Sequence, residues 1–111
     1  MRKNAIIAGT GFDGRDKIIK SYCKEGMKVI LKRDPTNEHD SNAISVFLEI
    51  PKLFGLFGKS QKDIGFIKSA TAKTLAKKMD NGVKIKAKVV SFWAPANIDF
   101  PRVSIEITDE I

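Results

Sequence analysis

The chain is poor in the residues on which secreted scaffolds and small zinc proteins depend. It contains one cysteine and one histidine among 111 residues. A single cysteine, Cys23, excludes an internal disulfide and is typical of a protein from a reducing compartment. One histidine and one cysteine cannot supply the four ligands of a structural zinc site. A disulfide-stapled fold and a zinc-finger module are therefore both excluded.

Long apolar runs are missing as well. No run approaches the ~18 residues that a membrane-spanning helix requires. The basic pair Arg2 and Lys3 is followed by an apolar stretch at 5–8 that is much too short for a signal peptide. We therefore expect no membrane partner, no export and a cytoplasmic location.

Length and composition predict one folded domain over residues 1–111. The chain is 42% hydrophobic and 30% charged, which is typical of a soluble globular protein and not of a disordered one. A chain of this length can bury one core and is too short for two.

Acidic residues are scarce in one part of the chain only. Residues 59–88 contain nine lysines and two aspartates, whereas the rest balances eleven basic against eleven acidic residues. The whole net charge of +7 therefore comes from one contiguous segment. This pattern predicts a basic face with a polyanionic partner, and the alternative is a lysine-rich surface that only keeps the protein soluble.

Hydrophobic periodicity predicts short strands and few helices. We predict strands at 4–10, 27–32, 43–50, 62–67, 83–92 and around 103–107, a short helical crossing at 17–24 and a main helix at 69–81. Such an order is typical of a mainly β (α+β) domain, a small SH3-like or OB-like β-barrel of about six strands.

Residues 69–81 give the clearest helix pattern. Apolar side chains recur at 72, 75, 76 and 79, Ser69 can act as N-cap, and Gly82 follows as a left-handed stop. The strand at 4–10 is expected to be buried. Phe47, Phe92 and Trp93 are expected to fill the core.

The turn at 34–42, between two apolar strands, is the most chemically crowded stretch. Asp34, Asn37 and Asp40 recur every three residues, which is not the ligand spacing of an EF-hand. A metal-dependent nuclease that uses Asp34, Glu38 and Asp40 stays as a minor alternative. We do not expect Cys23 to act with His39 in nucleophilic catalysis, because a small buried cysteine is the commoner case.

Binding of nucleic acid requires cations for phosphates and aromatic faces for bases. The lysines of 59–88 supply the cations. Phe12, His39 and Phe66 each lie where a predicted strand meets a loop, and small barrels present such junctions on one rim. These residues therefore predict a nucleic-acid site, built around the turn at 34–42.

Three stretches together resemble the HIRAN domain. They are Gly-Thr-Gly-Phe-Asp-Gly-Arg at 9–15, Arg-Asp-Pro-Thr-Asn-Glu-His-Asp-Ser-Asn-Ala-Ile-Ser-Val at 33–46, and Ile-Gly-Phe-Ile at 64–67 before the main helix. The resemblance covers roughly residues 5–90, in order and at the family's spacing. It implies a stand-alone relative of the accessory modules found on fork-remodelling, helicase-like translocases.

The resemblance also implies roles for single residues in reading single-stranded DNA ends with a free 3′-hydroxyl. Asp40 would accept a hydrogen bond from the hydroxyl, and His39, in the place of a family tyrosine, would flank the terminal nucleotide. Phe12 and Phe66 would be aromatic residues of the pocket. The implied phosphate donors are Arg15, Arg33 and Lys68. Asn37 is the eighth residue of the expected DNA-binding site, and Asn37 and Asn42 would cap the loop.

The leading hypothesis is a non-enzymatic module, without cofactor or metal, that binds single-stranded DNA and recognises 3′-hydroxyl ends in DNA repair or replication-fork processing. The second hypothesis is an interaction module that docks a helicase or nuclease partner through the apolar stretch 52–58 and the basic face. The metal-dependent nuclease is third.

Overall fold

Six strands and two helices make up the computed structural model, which describes residues 1–52 and 58–109. The elements are β1 Arg2–Ile6, α1 Arg15–Tyr22, β2 Lys28–Arg33, β3 Ile44–Pro51, β4 Lys59–Phe66, α2 Ser69–Asp80, β5 Ile85–Trp93 and β6 Arg102–Asp109. The predicted order and the mainly β class, with one main helix and one short helical crossing, are confirmed.

All strands belong to one antiparallel sheet with the order β1-β6-β5-β2-β3-β4. The strand ladders do not close this sheet into a complete barrel. Its two edge strands nevertheless meet at one point, because Ala8, just beyond β1, and Phe66, at the end of β4, exchange both backbone hydrogen bonds at 2.9 and 3.0 Å. We call this contact the seam.

Two glycines make the seam possible. Gly65 has a φ of 146°, and a Cβ atom on it would overlap the carbonyl oxygen of Ala8. Gly9 has a φ of 74°, and its Cβ would overlap the ring of Phe66. Only glycine allows the two backbones to approach this closely. The close approach at the seam thus explains why glycine occurs at position 9, in the 9–15 stretch, and at position 65, in the 64–67 stretch.

The core lies between the concave side of the sheet and the helices. Alternate residues of β3 and β6 are fully buried, as their period-two pattern predicts; they are Ile44, Val46, Leu48, Val103, Ile105 and Ile107. From α2, Ala72, Leu75 and Ala76 are buried and Met79 is partly buried. Cys23 is also a core residue, and its burial raises the pKa of the thiol to about 11.

The two ends of α2 differ from each other in how far they were predictable. Gly82 has a φ of 82° and donates its N–H to the Met79 carbonyl, so the left-handed stop is confirmed. The N-cap prediction is wrong: Lys68 occupies the cap position and Ser69 is already the first helical residue, without a side-chain cap bond. Within the described part of the chain, no helix has the length and apolar character needed to cross a membrane.

The burial of two strands, β5 and β1, differs from the prediction. Phe92 and Trp93 are 40% and 56% exposed and do not fill the core. A bulge between Val89 and Ser91 shifts the register of β5 against β6, so the inward and outward positions change beyond it. The strand β1 is mostly exposed rather than buried, because it forms a sheet edge and only Ile7 beyond it enters the core.

Arg33 connects the β2–β3 loop to α2. Its Nε and Nη2 atoms donate to the two carboxylate oxygens of Asp80 at 2.9 and 3.1 Å. The same guanidinium donates to the carbonyls of Ala43 at 2.8 Å and Ser41 at 3.0 Å. With its donors engaged and its side chain only 15% exposed, Arg33 is a clamp of the loop, and its role as a phosphate donor stays a prediction.

The clamp has an electrostatic signature. The hydrogen bond from Arg33 holds the pKa of the Asp80 carboxyl below its usual value, and the same bond raises the pKa of Arg33. The ionised form of Asp80 therefore stabilises the folded protein more than the protonated form does.

We expect Gly65→Ala to lower the free energy of unfolding by about 3 kcal/mol or more, because backbone strain at positive φ adds to a clash with the Ala8 carbonyl. Gly82→Ala is the matched control. Its φ is also positive, but no atom lies within 4 Å of the added Cβ, so the expected cost is only about 1 to 2 kcal/mol. Urea denaturation of both variants measures the difference, and equal losses would contradict a close approach at the seam.

Asp80→Asn should destabilise the protein at neutral pH and have progressively less effect in acid. Because the pKa of Asp80 is lowered in the folded state, its stabilising contribution is complete above the ordinary aspartate pKa of about 3.9 and disappears as the pH falls through the lowered value. Urea denaturation at pH 7 and near pH 3 tests this. Asp99→Asn, on an exposed loop residue, is the control; a pH-independent difference between Asp80→Asn and the wild type would contradict the clamp.

Candidate nucleic-acid interface

The β2–β3 loop is held in one conformation by its own polar groups. The backbone N–H of Asp34 donates to the Ala43 carbonyl at 2.9 Å and closes the base of the loop. Inside it, Asn37 Oδ1 accepts from the backbone N–H groups of His39 at 2.9 Å and Asp40 at 3.1 Å. The predicted capping role of Asn37 is confirmed, and it fixes the positions of His39 and Asp40.

Asp40 is oriented by the next turn of the same loop. The backbone N–H of Asn42 donates to Asp40 Oδ1 at 2.9 Å. Asn42 therefore contributes through its backbone here, in place of the side-chain cap predicted for it. Among the described residues, no hydrogen bond occupies the second carboxylate oxygen, Oδ2.

A cleft of about 730 Å³ lies between this loop, the start of α1, the end of β4 and the start of α2. Six of the eight predicted DNA-binding residues line it, although they come from three separate parts of the chain. They are Arg15, Asn37, His39, Asp40, Phe66 and Lys68. The cleft therefore brings the stretches 9–15, 33–46 and 64–67 to one place.

Arg15 and Phe66 form one wall of the cleft. The guanidinium carbon of Arg15 lies 5.9 Å from the centroid of the Phe66 ring, in a cation–π arrangement. Arg15 Nη1 donates to the Gly9 carbonyl at 3.1 Å, beside the seam. The ring of Phe66 remains 42% exposed, so it presents apolar surface to the cleft.

Asp63 belongs to the site and was missed by the sequence prediction. Its Oδ2 accepts from Arg15 Nη2 at 3.2 Å, and its Oδ1 accepts from the backbone N–H of Gly65 at 3.0 Å. It therefore holds Arg15 against the end of β4. The available signal was an isolated acid in a lysine-rich segment, directly before the Ile-Gly pair.

The cleft itself is not basic. Three carboxylates line it, from Asp34, Asp40 and Asp63, against the cations of Arg15 and Lys68. Arg15 is already paired with Asp63. Such a cleft disfavours a phosphate placed deep inside it and favours a neutral group that can donate a hydrogen bond.

Phe12 lies outside the cleft, on the turn before α1. It is 59% exposed, and its ring packs edge-to-face against Phe100 with centroids 5.7 Å apart. Its carbonyl accepts from the backbone N–H of Arg15 at 3.1 Å, which connects the aromatic pair to the cleft wall. Phe100 was not predicted, since it lies in a loop that the sequence marks only as a connection, yet it is 60% exposed.

The predicted single basic face is divided in the structure. Lys68 lines the cleft, and Lys73 and Lys77 lie on the exposed side of α2. The lysines of residues 84–88 line a different groove. The lysine positions are close in the sequence but are distributed over separate surfaces, because α2 and β5 turn them in different directions.

The described residues give no support to the metal-dependent nuclease and do not test an interaction through the apolar stretch 52–58. Across 1–52 and 58–109, no three His, Cys, Asp or Glu side chains are arranged to hold a metal ion. The Asp34 carboxylate accepts from the side chains of Asn37 and Thr36 instead. Most of the apolar stretch 52–58, on which the interaction-module hypothesis relied, lies outside the residues that the structure describes.

Solved structures share this fold over almost the entire chain. The crystal structure of the HIRAN domain of human HLTF is 24% identical, with a TM-score of 0.68, and the match covers 97% of this chain and 74% of that one. The crystal structure of a protein from Lactobacillus plantarum is 20% identical, with a TM-score of 0.69, covering 96% and 92%. At these identities the similarity establishes the fold alone.

No curated protein matches the sequence. The family model of the HIRAN domain, in contrast, matches residues 4–107, which extends the predicted resemblance through β5 and β6. That match spans nearly the whole chain and includes every residue of the cleft. The protein therefore belongs to the HIRAN domain family, a family of DNA-binding domains.

Proposed function

We propose that the protein binds single-stranded DNA and that the cleft receives a terminal nucleotide with a free 3′-hydroxyl. The observation that carries this proposal is the convergence of six separately predicted residues on one cleft of about 730 Å³. A volume of this size is in the range of small-ligand sites and is sufficient for a single nucleoside.

Asp40 is the proposed selector of the hydroxyl. Asn42 and Asn37 hold this residue in place, and its Oδ2 atom accepts a hydrogen bond from the 3′-hydroxyl. A 3′-phosphate at the same place would bring two negative charges together, in a cleft that already has more carboxylates than cations. The preference for a hydroxyl thus follows from charge as well as from hydrogen bonding.

Phe66 and His39 are the proposed contacts of the terminal base and sugar. The exposed ring of Phe66 offers a stacking face, and Arg15 packs on the ring to hold its orientation. His39 is exposed on the opposite side of the cleft, on the loop that Asn37 orders. A base between these two side chains would be enclosed without any requirement for a particular sequence.

The remaining nucleotides leave the cleft over a surface with cations and aromatic rings. Lys68 lies at its edge and is exposed, so it is free to approach the last phosphate. The pair of Phe12 and Phe100 supplies further stacking area next to the Arg15 wall. Phosphates are therefore bound outside the carboxylate-lined cleft, and the terminal sugar within it.

We propose a binding role without catalysis, in the handling of DNA ends during repair or replication-fork processing. The carboxylates of Asp34 and Asp63 are already hydrogen-bonded within the protein, which supports binding over metal-dependent cleavage. A helicase or nuclease partner stays a prediction from the family resemblance.

Fluorescence anisotropy with short single strands that end in a 3′-hydroxyl or a 3′-phosphate tests the selector. We expect the wild type to prefer the hydroxyl by about tenfold or more, since hydrogen bonds to charged groups contribute about 1.5 to 3 kcal/mol. Asp40→Asn should abolish the preference. Glu38→Gln, on an exposed neighbour in the same loop that does not line the cleft, should retain it. Equal binding of both strands by the wild type, lost at higher salt, would leave only non-specific attraction and contradict the proposal.

Binding of a short single-stranded oligonucleotide tests the role of the Phe12–Phe100 pair. Phe12→Ala and Phe100→Ala should each weaken binding of a six-nucleotide strand by about 1 to 3 kcal/mol, as expected for the loss of one stacked base. The preference for the hydroxyl should remain, because the cleft is intact. Tyr22→Ala is the matched control, since Tyr22 is 47% exposed and lies neither in the cleft nor in the aromatic pair. An equal loss in Tyr22→Ala would contradict the role of the pair.

A further inference from the structure

A second groove, of about 990 Å³, lies between β2 and β5 and shares no lining residue with the cleft. The two strands pair only at Lys28↔Lys88 and Val29↔Ala87. Beyond these pairs β2 continues to Arg33 and β5 begins at Ile85, so the strands separate and the groove opens between them.

The separation leaves a strand edge that faces the groove. The backbone N–H of Asp34, just after β2, donates to the Ala43 carbonyl, just before β3. Along an antiparallel strand, every second residue directs its backbone N–H and C=O toward the same neighbouring strand, and the residues between them direct theirs to the other side. Leu31, three positions earlier, therefore directs its backbone N–H and C=O away from β3. Leu31 also lines the groove. An extended peptide can hydrogen-bond to such an edge and add a strand to the sheet.

The walls of the groove are positively charged. Five cations line it against one acid; the cations are Arg2, Lys28, Lys84, Lys86 and Lys88, and the acid is Glu106. Glu106 lies 3.9 Å from Arg2, and Lys28 lies 3.7 Å from Glu49 outside the groove. Among the described residues, no ion pair involves Lys84 or Lys88.

Lys28 and Lys88 are direct cross-strand partners. Like charges in this position repel one another and destabilise the sheet. Glu49 compensates part of the Lys28 charge from outside the groove, whereas no ion pair involves Lys88 among the described residues. A carboxylate in the groove would lower the remaining repulsion, so the pair favours a negatively charged ligand.

The floor of the groove is aliphatic. Ile30, Leu31, Met79, Val83 and Ile85 line it and are only partly buried. None of the described lining residues is aromatic, so the groove lacks the stacking faces that single-stranded nucleic acid requires. Aliphatic surface contributes nothing to phosphate binding, but it can bury the apolar side chains of a peptide.

We propose that this groove docks an extended segment of a partner protein in which acidic and aliphatic side chains alternate. The backbone of the segment pairs with the open edge at Leu31, its aliphatic side chains pack on the floor, and its carboxylates reach Lys84 and Lys88. Because consecutive side chains of a strand point to opposite sides, alternation in the ligand matches residues 83–88, in which exposed lysines alternate with apolar residues.

Fluorescence anisotropy with synthetic peptides tests the proposal. The probe is an eight-residue peptide in which Glu alternates with Val, compared with an all-Glu peptide and with a peptide in which Lys alternates with Val. The alternating acidic peptide should bind at least tenfold more tightly than either. Amide chemical shifts should change at Leu31 and Ile85 and not in the β2–β3 loop.

Two double variants with the same change of charge separate the groove from general electrostatics. The double variant Lys84→Glu, Lys88→Glu should bind the alternating acidic peptide at least tenfold more weakly than the wild type does. The double variant Lys73→Glu, Lys77→Glu, on the exposed side of α2, should change the affinity for this peptide less than twofold. Asp40→Asn should leave the affinity for the peptide unchanged, because Asp40 lines the cleft and not the groove. A wrong proposal for the cleft can thus be distinguished from a wrong proposal for the groove.

Three results would overturn the proposal. They are absence of peptide binding, equal binding of the alternating and all-Glu peptides, and tighter binding of a 3′-phosphorylated strand or a blunt duplex that depends on Lys84 and Lys88. The last result would assign the groove to a nucleic-acid backbone.

Discussion

The backbone bridge between Ala8 and Phe66 is the contact on which the site depends. It brings the two edges of the sheet together, and the residues on either side of it become the wall of the cleft. Arg15 reaches the Gly9 carbonyl beside the bridge, and Phe66 is itself one of the bridged residues. A loss of close approach at Gly65 would therefore separate the wall from the loop opposite.

The acids of the β2–β3 loop have different tasks, although the sequence presents them as one cluster. Asp34 holds the loop internally, and Asp40 is oriented by backbone groups with one oxygen unpaired among the described residues. Arg33 ties the same loop to Asp80 on α2. The proposed selection of a hydroxyl over a phosphate requires a carboxylate that is held in place, because a mobile one could move away from either group. The hydrogen bonds within the loop meet this requirement of the proposal.

Much of the fold was predictable because burial imposes a period on each strand and helix. The pattern of β3, β6 and α2 follows directly from one-sided contact with the core. The exceptions were Phe92 and Trp93, whose exposure follows a bulge that depends on pairing with β6, and Ser69, whose cap position depends on where the chain leaves β4. Neither pairing register nor chain direction is encoded in the residues of one segment.

The strand and helix order, the family resemblance and six residues of the cleft could be predicted from the sequence, because local periodicity and short motifs are properties of neighbouring residues. The clamp role of Arg33, the position of Asp63 and Phe100 beside the site, and the separation of the lysines of 59–88 into different surfaces became visible in the fold alone. These outcomes depend on contacts between residues distant in the chain. Such contacts exist only after the sheet edges have met and the helices have packed against them.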